Sequence, residues 1–157
     1  MSTSALQIRP MTRAELDVVV EWAAVEGWNP GWHDADTFHA ADPGGFLIGL
    51  LDGEPVSAIS AVRYGDRFGF IGFYIVRPGF RGQGHGIAIW RAAMQQLAGR
   101  TIGLDGVVAE QQSYRRSGFA LAWNNLRHEG RPRRDDRADA AMIQIDPGGS
   151  DPSGLLA

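Results

Sequence analysis

Arg81, Gly82, Gln83, Gly84, His85 and Gly86 follow the apolar run 70–76 and open a stretch, 87–97, with helical spacing. Glycines at alternate positions let the backbone take positive φ and come close to a ligand. The first turn of the following helix adds unpaired N–H groups and a partial positive charge. The chemistry of such a turn is anion binding, and a phosphate or diphosphate is its natural occupant. Spacing excludes two phosphate motifs. A P-loop needs a lysine after its last glycine, and this chain has none: all 15 of its Lys and Arg positions are arginine. The same absence closes Schiff-base catalysis. A dinucleotide fingerprint would place G-x-G-x-x-G near the start of a strand-helix-strand unit, whereas these glycines alternate and lie past the middle of the chain. The plain alternative is a tight turn without a ligand, but such turns seldom need so many glycines.

The elements that must position this turn can be read from periodicity. Residues 6–10 alternate as an edge strand (β1). Thr12 to Glu15 has the form of a capping box ahead of a helix (α1) with Leu16, Val19, Val20 and Ala23 on one face. Gly27 to Gly31 breaks that helix, and Asp34 is the expected cap of a second one (α2). Strand-like runs at 46–51 (β2), 56–64 (β3) and 68–76 (β4) are separated by turn signals and should pair antiparallel. Ile87, Trp90, Met94 and Leu97 define the inward face of α3, and residues 102–107 form a buried strand, β5, parallel to β4. A short α4 over 110–117 and a further strand over 119–126 complete the pattern. Trp90 and Trp123 read as core.

Composition fits one compact domain: 157 residues, 44% hydrophobic and 21% charged. A net charge of −3 provides no drive toward nucleic acid, and no apolar run nears the ~20 residues that span a bilayer. The first residues lack the basic and apolar regions of a secretory signal, so a cytoplasmic location is expected. Cysteine is absent, and His33, His39, His85 and His128 show no metal-binding spacing, so no metal is expected.

The pattern Arg81-x-x-Gly84-x-Gly86, preceded by Val76, Arg77 and Pro78, resembles the coenzyme A loop of the GCN5-related N-acetyltransferase (GNAT) family. That loop carries Gln or Arg, then x-x-G-x, then Gly or Ala. Tyr114, followed by Gly118 and Phe119, is similar to the family's late Y-x-x-x-G-F segment. Both motifs occur in the right order and at the right distance, and the likeness covers roughly residues 5–127. It implies an α/β domain over 1–127, with a mixed, mostly antiparallel central sheet flanked by helices and with β4 and β5 parallel and splayed. Residues 128–157 would be a polar tail, poorly ordered apart from a possible last strand at 141–145, and the remnant of a second domain is left open.

The resemblance also implies a reaction: direct transfer of an acetyl group from acetyl-coenzyme A to a primary amine of a small molecule, since no cysteine can carry the acyl group. Backbone groups of Tyr74, Ile75 and Val76 would pair with the pantetheine arm. The amides of Gly82, Gln83, Gly84, His85, Gly86 and Ile87 would hold the diphosphate, and Arg81 would add charge. The side chains of Gln83 and His85 are expected to face solvent, and valine at position 84 or 86 should block the cradle sterically and conformationally. Tyr114 is the candidate general acid, because a phenol of pKa ~10 stays protonated at neutral pH and can reprotonate a thiolate of pKa ~8.5. Glu26, Trp28, Trp32 and His33 would line the acceptor pocket, with Trp22 more suited to the core. Glu26, His33, Asp34 and Asp105 are the available bases. Val107 stands where the family usually has a cofactor-contacting asparagine, and β4 lacks the glutamate that serves some relatives as base. Those departures favour a non-catalytic acyl-coenzyme A-binding module as an alternative, and a protein or peptide acceptor is a third reading. No nucleic-acid or membrane partner is expected, and an exposed edge strand could pair two copies.

Overall fold

The computed structural model describes residues 5–125; the expected tail and its strand at 141–145 lie outside them. The chain divides into units 1–122 and 123–157, and the helices and strands named next all lie in the first. Its elements are β1 (Leu6–Pro10), α1 (Arg13–Val25), α2 (Asp34–Ala41), β2 (Phe46–Leu51), β3 (Glu54–Tyr64), β4 (Phe68–Val76), α3 (His85–Gln96), β5 (Thr101–Leu104) and α4 (Gln111–Arg116). The strands form one sheet in the order β1-β2-β3-β4-β5, antiparallel except for the parallel pair β4 and β5.

Both faces of the sheet are covered. Phe46, Ile48, Leu50, Ala58 and Val62 meet Leu16 and Val19 of α1 and Ala35 of α2 on one face. Leu47, Ile59, Ala61 and Ile71 meet Ile89, Trp90, Ala93 and Leu97 on the α3 side. This double burial is why β2 reads as an unbroken apolar run rather than alternating. At the start of α1 the expected capping box is present: the Glu15 amide donates to Thr12 Oγ1 at 3.2 Å, and the Thr12 amide donates to Glu15 Oε2 at 2.7 Å. Arg9 grips the same carboxylate at 2.6 and 2.8 Å, and these hydrogen bonds hold Glu15 down at about 2.

Five expectations need correction. Asp34 does not cap α2; its carboxylate turns back to accept the Gly31 amide at 2.8 Å, and His33 occupies the cap position without a side-chain bond. Of the expected inward face of α3, Trp90 and Leu97 are buried and Met94 packs partly buried against the same core, which Ile89 and Ala93 complete, while Ile87 is 49% exposed. β5 ends at Leu104 rather than 107, because its pairing partner β4 leaves it there. No strand forms over 119–125: the Phe119 amide instead donates to Tyr114 O at 3.1 Å and closes the end of α4. Without strand alternation to turn it inward, Trp123 is 72% exposed rather than core.

The departure of β4 has a local cause. Ser60 pairs with Gly72 and Ala58 with Ile75, so Phe73 and Tyr74 together face the single residue Ile59. This is a β-bulge, and Phe73 takes φ 45° to make it. In a regular strand Ile71 and Phe73 would share a face. Here Phe73 packs on the α1 and α2 side, while Tyr74 joins Ile71 on the α3 side. Pairing with β5 covers only Phe68 to Ile71, so the β5-facing edge of β4 is released beyond that point.

Asp42, at the end of α2 and 7% exposed, ties this helix to β3: its carboxylate accepts the Arg63 amide at 2.9 Å and the guanidinium at 2.7 and 2.9 Å. Those bonds hold Asp42 below its ordinary value. The resulting stabilisation is complete above the unfolded-state pKa of ~3.9 and is lost as pH falls through the lower folded value. Asp42→Asn is therefore expected to cost roughly 1–2 kcal/mol at pH 7, after discounting for solvent around Arg63. In urea denaturation series the gap to the wild type should narrow below about pH 4.

Candidate active site

β4 leads through a 3-10 turn (Pro78–Phe80) into the glycine-rich segment and α3. Gly82 and Gly84 adopt φ 75° and 89°, and Gly84 is the residue that starts the helix. The first intrahelical bond runs from the Ala88 amide to Gly84 O at 3.1 Å. Among the described residues, the amides of 82–87 donate to no backbone acceptor. The glycines have different jobs. A Cβ on Gly84 would meet nothing within 4 Å, so its constraint is conformational; a Cβ on Gly86 would stand 2.8 Å from the Tyr74 hydroxyl and 3.2 Å from Val76 Cγ2, so its constraint is steric. The result is a concave row of N–H donors at a helix N-terminus, which suits an anion such as a diphosphate.

The loop is anchored on both sides. Arg81 Nε donates to Val76 O at 2.7 Å, and its terminal nitrogen forms an ion pair with Glu26 at the end of α1. Arg77 has its guanidinium carbon 5.9 Å from the Trp22 ring centroid and 5.4 Å from that of Phe80, and its Nη1 donates to Glu54 at 2.6 Å and to Pro55 O at 2.9 Å. Phe80 in turn meets the His85 ring edge-on at 6.3 Å. Gln83 is exposed, as expected, with its side-chain amide donating to Gly79 O at 3.0 Å. His85 instead is half-buried, with Nε2 sealed from solvent and without a protein partner among the described residues. The roles of Arg77 and Phe80 carry no sequence signal beyond the Val76-Arg77-Pro78 context.

Behind the released strand edge stands an aromatic wall. Trp90 is 5.4 Å from Tyr74, 6.1 Å from Tyr114 and 5.9 Å from Phe119, centroid to centroid. Tyr114 is placed by the end of its helix: Gly118, at φ 91°, donates to Arg115 O at 3.0 Å, and Phe119 donates to Tyr114 O at 3.1 Å. This paired closure is the Schellman arrangement, and it explains physically why a tyrosine, a glycine and an apolar residue recur at that spacing. The ring lies flat against the chain after β5, where a Cβ on Gly106 would be 2.5 Å from Tyr114 Cε2. Burial raises the Tyr114 phenol above its ordinary value, and the Glu110 charge adds to this. Tyr74 is raised by burial, then by Tyr114 and Glu110. Both phenols are therefore protonated at neutral pH.

The structure gathers the expected acceptor residues unevenly. Trp22 is half-buried beneath Arg77, and Glu26 reaches the cradle through Arg81. Trp28 is half-buried, with its amide bonded to Ala23 O at 3.0 Å. Trp32 is 100% exposed and His33 is exposed. Asp105 and Val107 lie in the exposed segment that follows β5. Among the described residues, no group of three or more His, Cys, Asp or Glu could hold a metal ion, and no helix is long and apolar enough to cross a membrane.

The family model of the acetyltransferase (GNAT) family matches residues 13–120. The chain belongs to this family. A curated relative, the Holothin acyltransferase of Pseudoalteromonas sp. (strain SANK 73390), is 35% identical over 122 residues; these are 78% of this chain but 42% of that protein's length. Among solved structures, Ard1 from Thermoplasma volcanium superposes with a TM-score of 0.66 at 19% identity, covering 76% of this chain and 85% of that one. A protein from Clostridium acetobutylicum described as an acetyltransferase and solved with acetyl-CoA gives a TM-score of 0.59 at 15% identity, covering 78% and 96%. These two likenesses concern the GNAT fold: a mixed five-stranded sheet with β4 and β5 parallel.

The different constraints on the two glycines can be separated by measurement. Gly84→Ala should lower stability by about 1 kcal/mol, the cost of a Cβ in the left-handed region. Gly86→Val should cost more, up to about 3 kcal/mol, because Tyr74 and β4 must shift. Chemical denaturation of both variants checks the order.

Proposed function

We propose that this GNAT domain moves an acetyl group from acetyl-coenzyme A directly to a primary amine of a small molecule. The observation that carries the proposal is the row of uncommitted amides at 82–87, lying beside a strand edge that β5 has released. The diphosphate of the donor suits those amides, and the free edge of Tyr74, Ile75 and Val76 suits the amide groups of a pantetheine arm. The bound donor supplies an activated thioester carbonyl. Around it, the Val76 amide is the proposed backbone donor that polarises the carbonyl oxygen as charge develops there. The lone pair of the neutral amine forms the new C–N bond, the C–S bond breaks, and Tyr114 gives its phenolic proton to the departing thiolate. The proton released by the amine passes to water, which then restores the phenol.

Glu26, Trp28, Trp32 and His33 are the proposed acceptor contacts. An aromatic as exposed as Trp32 gains by being covered, and an apolar or cationic amine offers stacking and cation–π contact. Support comes from an acyltransferase among the relatives and from a neighbour solved with acetyl-CoA. A second reading, acyl-coenzyme A binding without catalysis, is favoured by the exposed Val107 in place of an asparagine. Release of free thiol in the presence of an amine panel separates the two.

Tyr114→Phe keeps the stack on Trp90 and removes only the hydroxyl. It should lower kcat roughly 10- to 100-fold, the low side of general-acid contributions because a thiolate is already a fair leaving group, with coenzyme A affinity unchanged. Gly84→Val should abolish coenzyme A binding in calorimetry. Equal kcat in Tyr114→Phe would remove the phenol from the mechanism.

A further inference from the structure

Tyr74 is a β4 residue whose hydroxyl has no packing reason to exist. Its ring stacks on Trp90 at 5.4 Å, and a phenylalanine would do the same. The hydroxyl makes no hydrogen bond among the described residues, and it is not one of the side-chain atoms sealed from solvent without a partner, which are Ser57 Oγ and His85 Nε2. It is therefore not fully sealed from solvent. The β-bulge turns it to this face: with regular alternation Phe73 would lie against α3 and Tyr74 would lie against α1 and α2. A non-glycine residue held at φ 45° next to a binding edge is strain of the kind found at ligand sites.

The location of the hydroxyl is specific. It stands 2.8 Å from where a Cβ of Gly86 would be, and glycine at that position is what leaves room for it. Since Cβ and the amide nitrogen share one Cα, the hydroxyl lies within about 5–6 Å of the Gly86 N–H, a gap that a single ligand oxygen bridges with two hydrogen bonds. Along the chain of contacts, Tyr74 sits between the cradle on one side and Tyr114 on the other, with Trp90 touching both phenols.

We infer that the Tyr74 hydroxyl is a donor-binding group that hydrogen-bonds the coenzyme where its diphosphate passes into the pantetheine arm. This rests on the acyl-coenzyme A reading above and adds a side chain to a contact otherwise made by backbone alone. Tyr74 then acts on affinity and Tyr114 on turnover, so two phenols flanking one tryptophan have separable functions.

The test is calorimetric titration of wild type and Tyr74→Phe with coenzyme A and with adenosine 3′,5′-bisphosphate, which lacks both the second phosphate of the bridge and the arm. Tyr74→Phe should weaken coenzyme A about three- to tenfold, the worth of one hydrogen bond, and leave the bisphosphate unchanged. The melting midpoint should stay that of the wild type, which separates a lost ligand contact from a disturbed core. Equal coenzyme A affinity in both proteins, or equal weakening of both ligands, would overturn the assignment. Absence of coenzyme A binding by the wild type would overturn the donor reading itself, and this inference with it.

Discussion

The extra residue in β4 controls the geometry around it, because it parts the strand from β5 after Ile71 while β3 continues to pair as far as Val76. A non-glycine residue at positive φ costs of the order of 1–3 kcal/mol. Phe73 offsets this by packing against the α1 and α2 core and meeting Phe38 edge-on at 6.4 Å. Phe73 is only partly buried there, so this packing offsets part of the cost of the bulge. One strained residue thus goes with a freed strand edge and turns Tyr74 toward α3.

The loop between that strand and that helix is held rather than left to the ligand. Arg81 is fixed to the carbonyl of Val76 and to Glu26, and Arg77 is stacked between Trp22 and Phe80. Both arginines therefore join the end of the strand to α1, the helix that leads into the proposed acceptor region. The proposed donor cradle and the proposed acceptor side are parts of one connected set of contacts. Pre-organisation of this kind reduces the ordering cost of binding and keeps the reacting groups at a set distance.

Much of this was legible because the signals are local. The capping box at Thr12 and Glu15 and the glycine-rich start of α3 depend on residues within a few positions of one another, and both are present in the structure. The bulge was not legible: nothing marks Phe73, an aromatic with ordinary strand preference, as a residue at positive φ. Two of its consequences were hidden with it, the early end of β5 and the facing of Tyr74, whereas the parting of β4 from β5 was implied by the family resemblance. The apolar run after Gly118 has strand composition, but its first residue is taken by the closure of α4, a hydrogen-bonding choice that composition does not express. Asp34 shows the same competition on a smaller scale, since a carboxylate near a helix start can serve the turn before it instead of the helix. Exposure of Trp32 and Ile87 follows from where cover ends, which is a property of the whole fold.

The amides of the glycine-rich turn are the proposed binding surface for an anionic donor. Nitrogen-15 resolved NMR of the chain during titration with coenzyme A measures this directly. The largest amide shifts should fall on residues 82–87, with smaller ones on Tyr74, Ile75 and Val76, and all should saturate together. Unmoved amides at 82–87 with shifts elsewhere would contradict it.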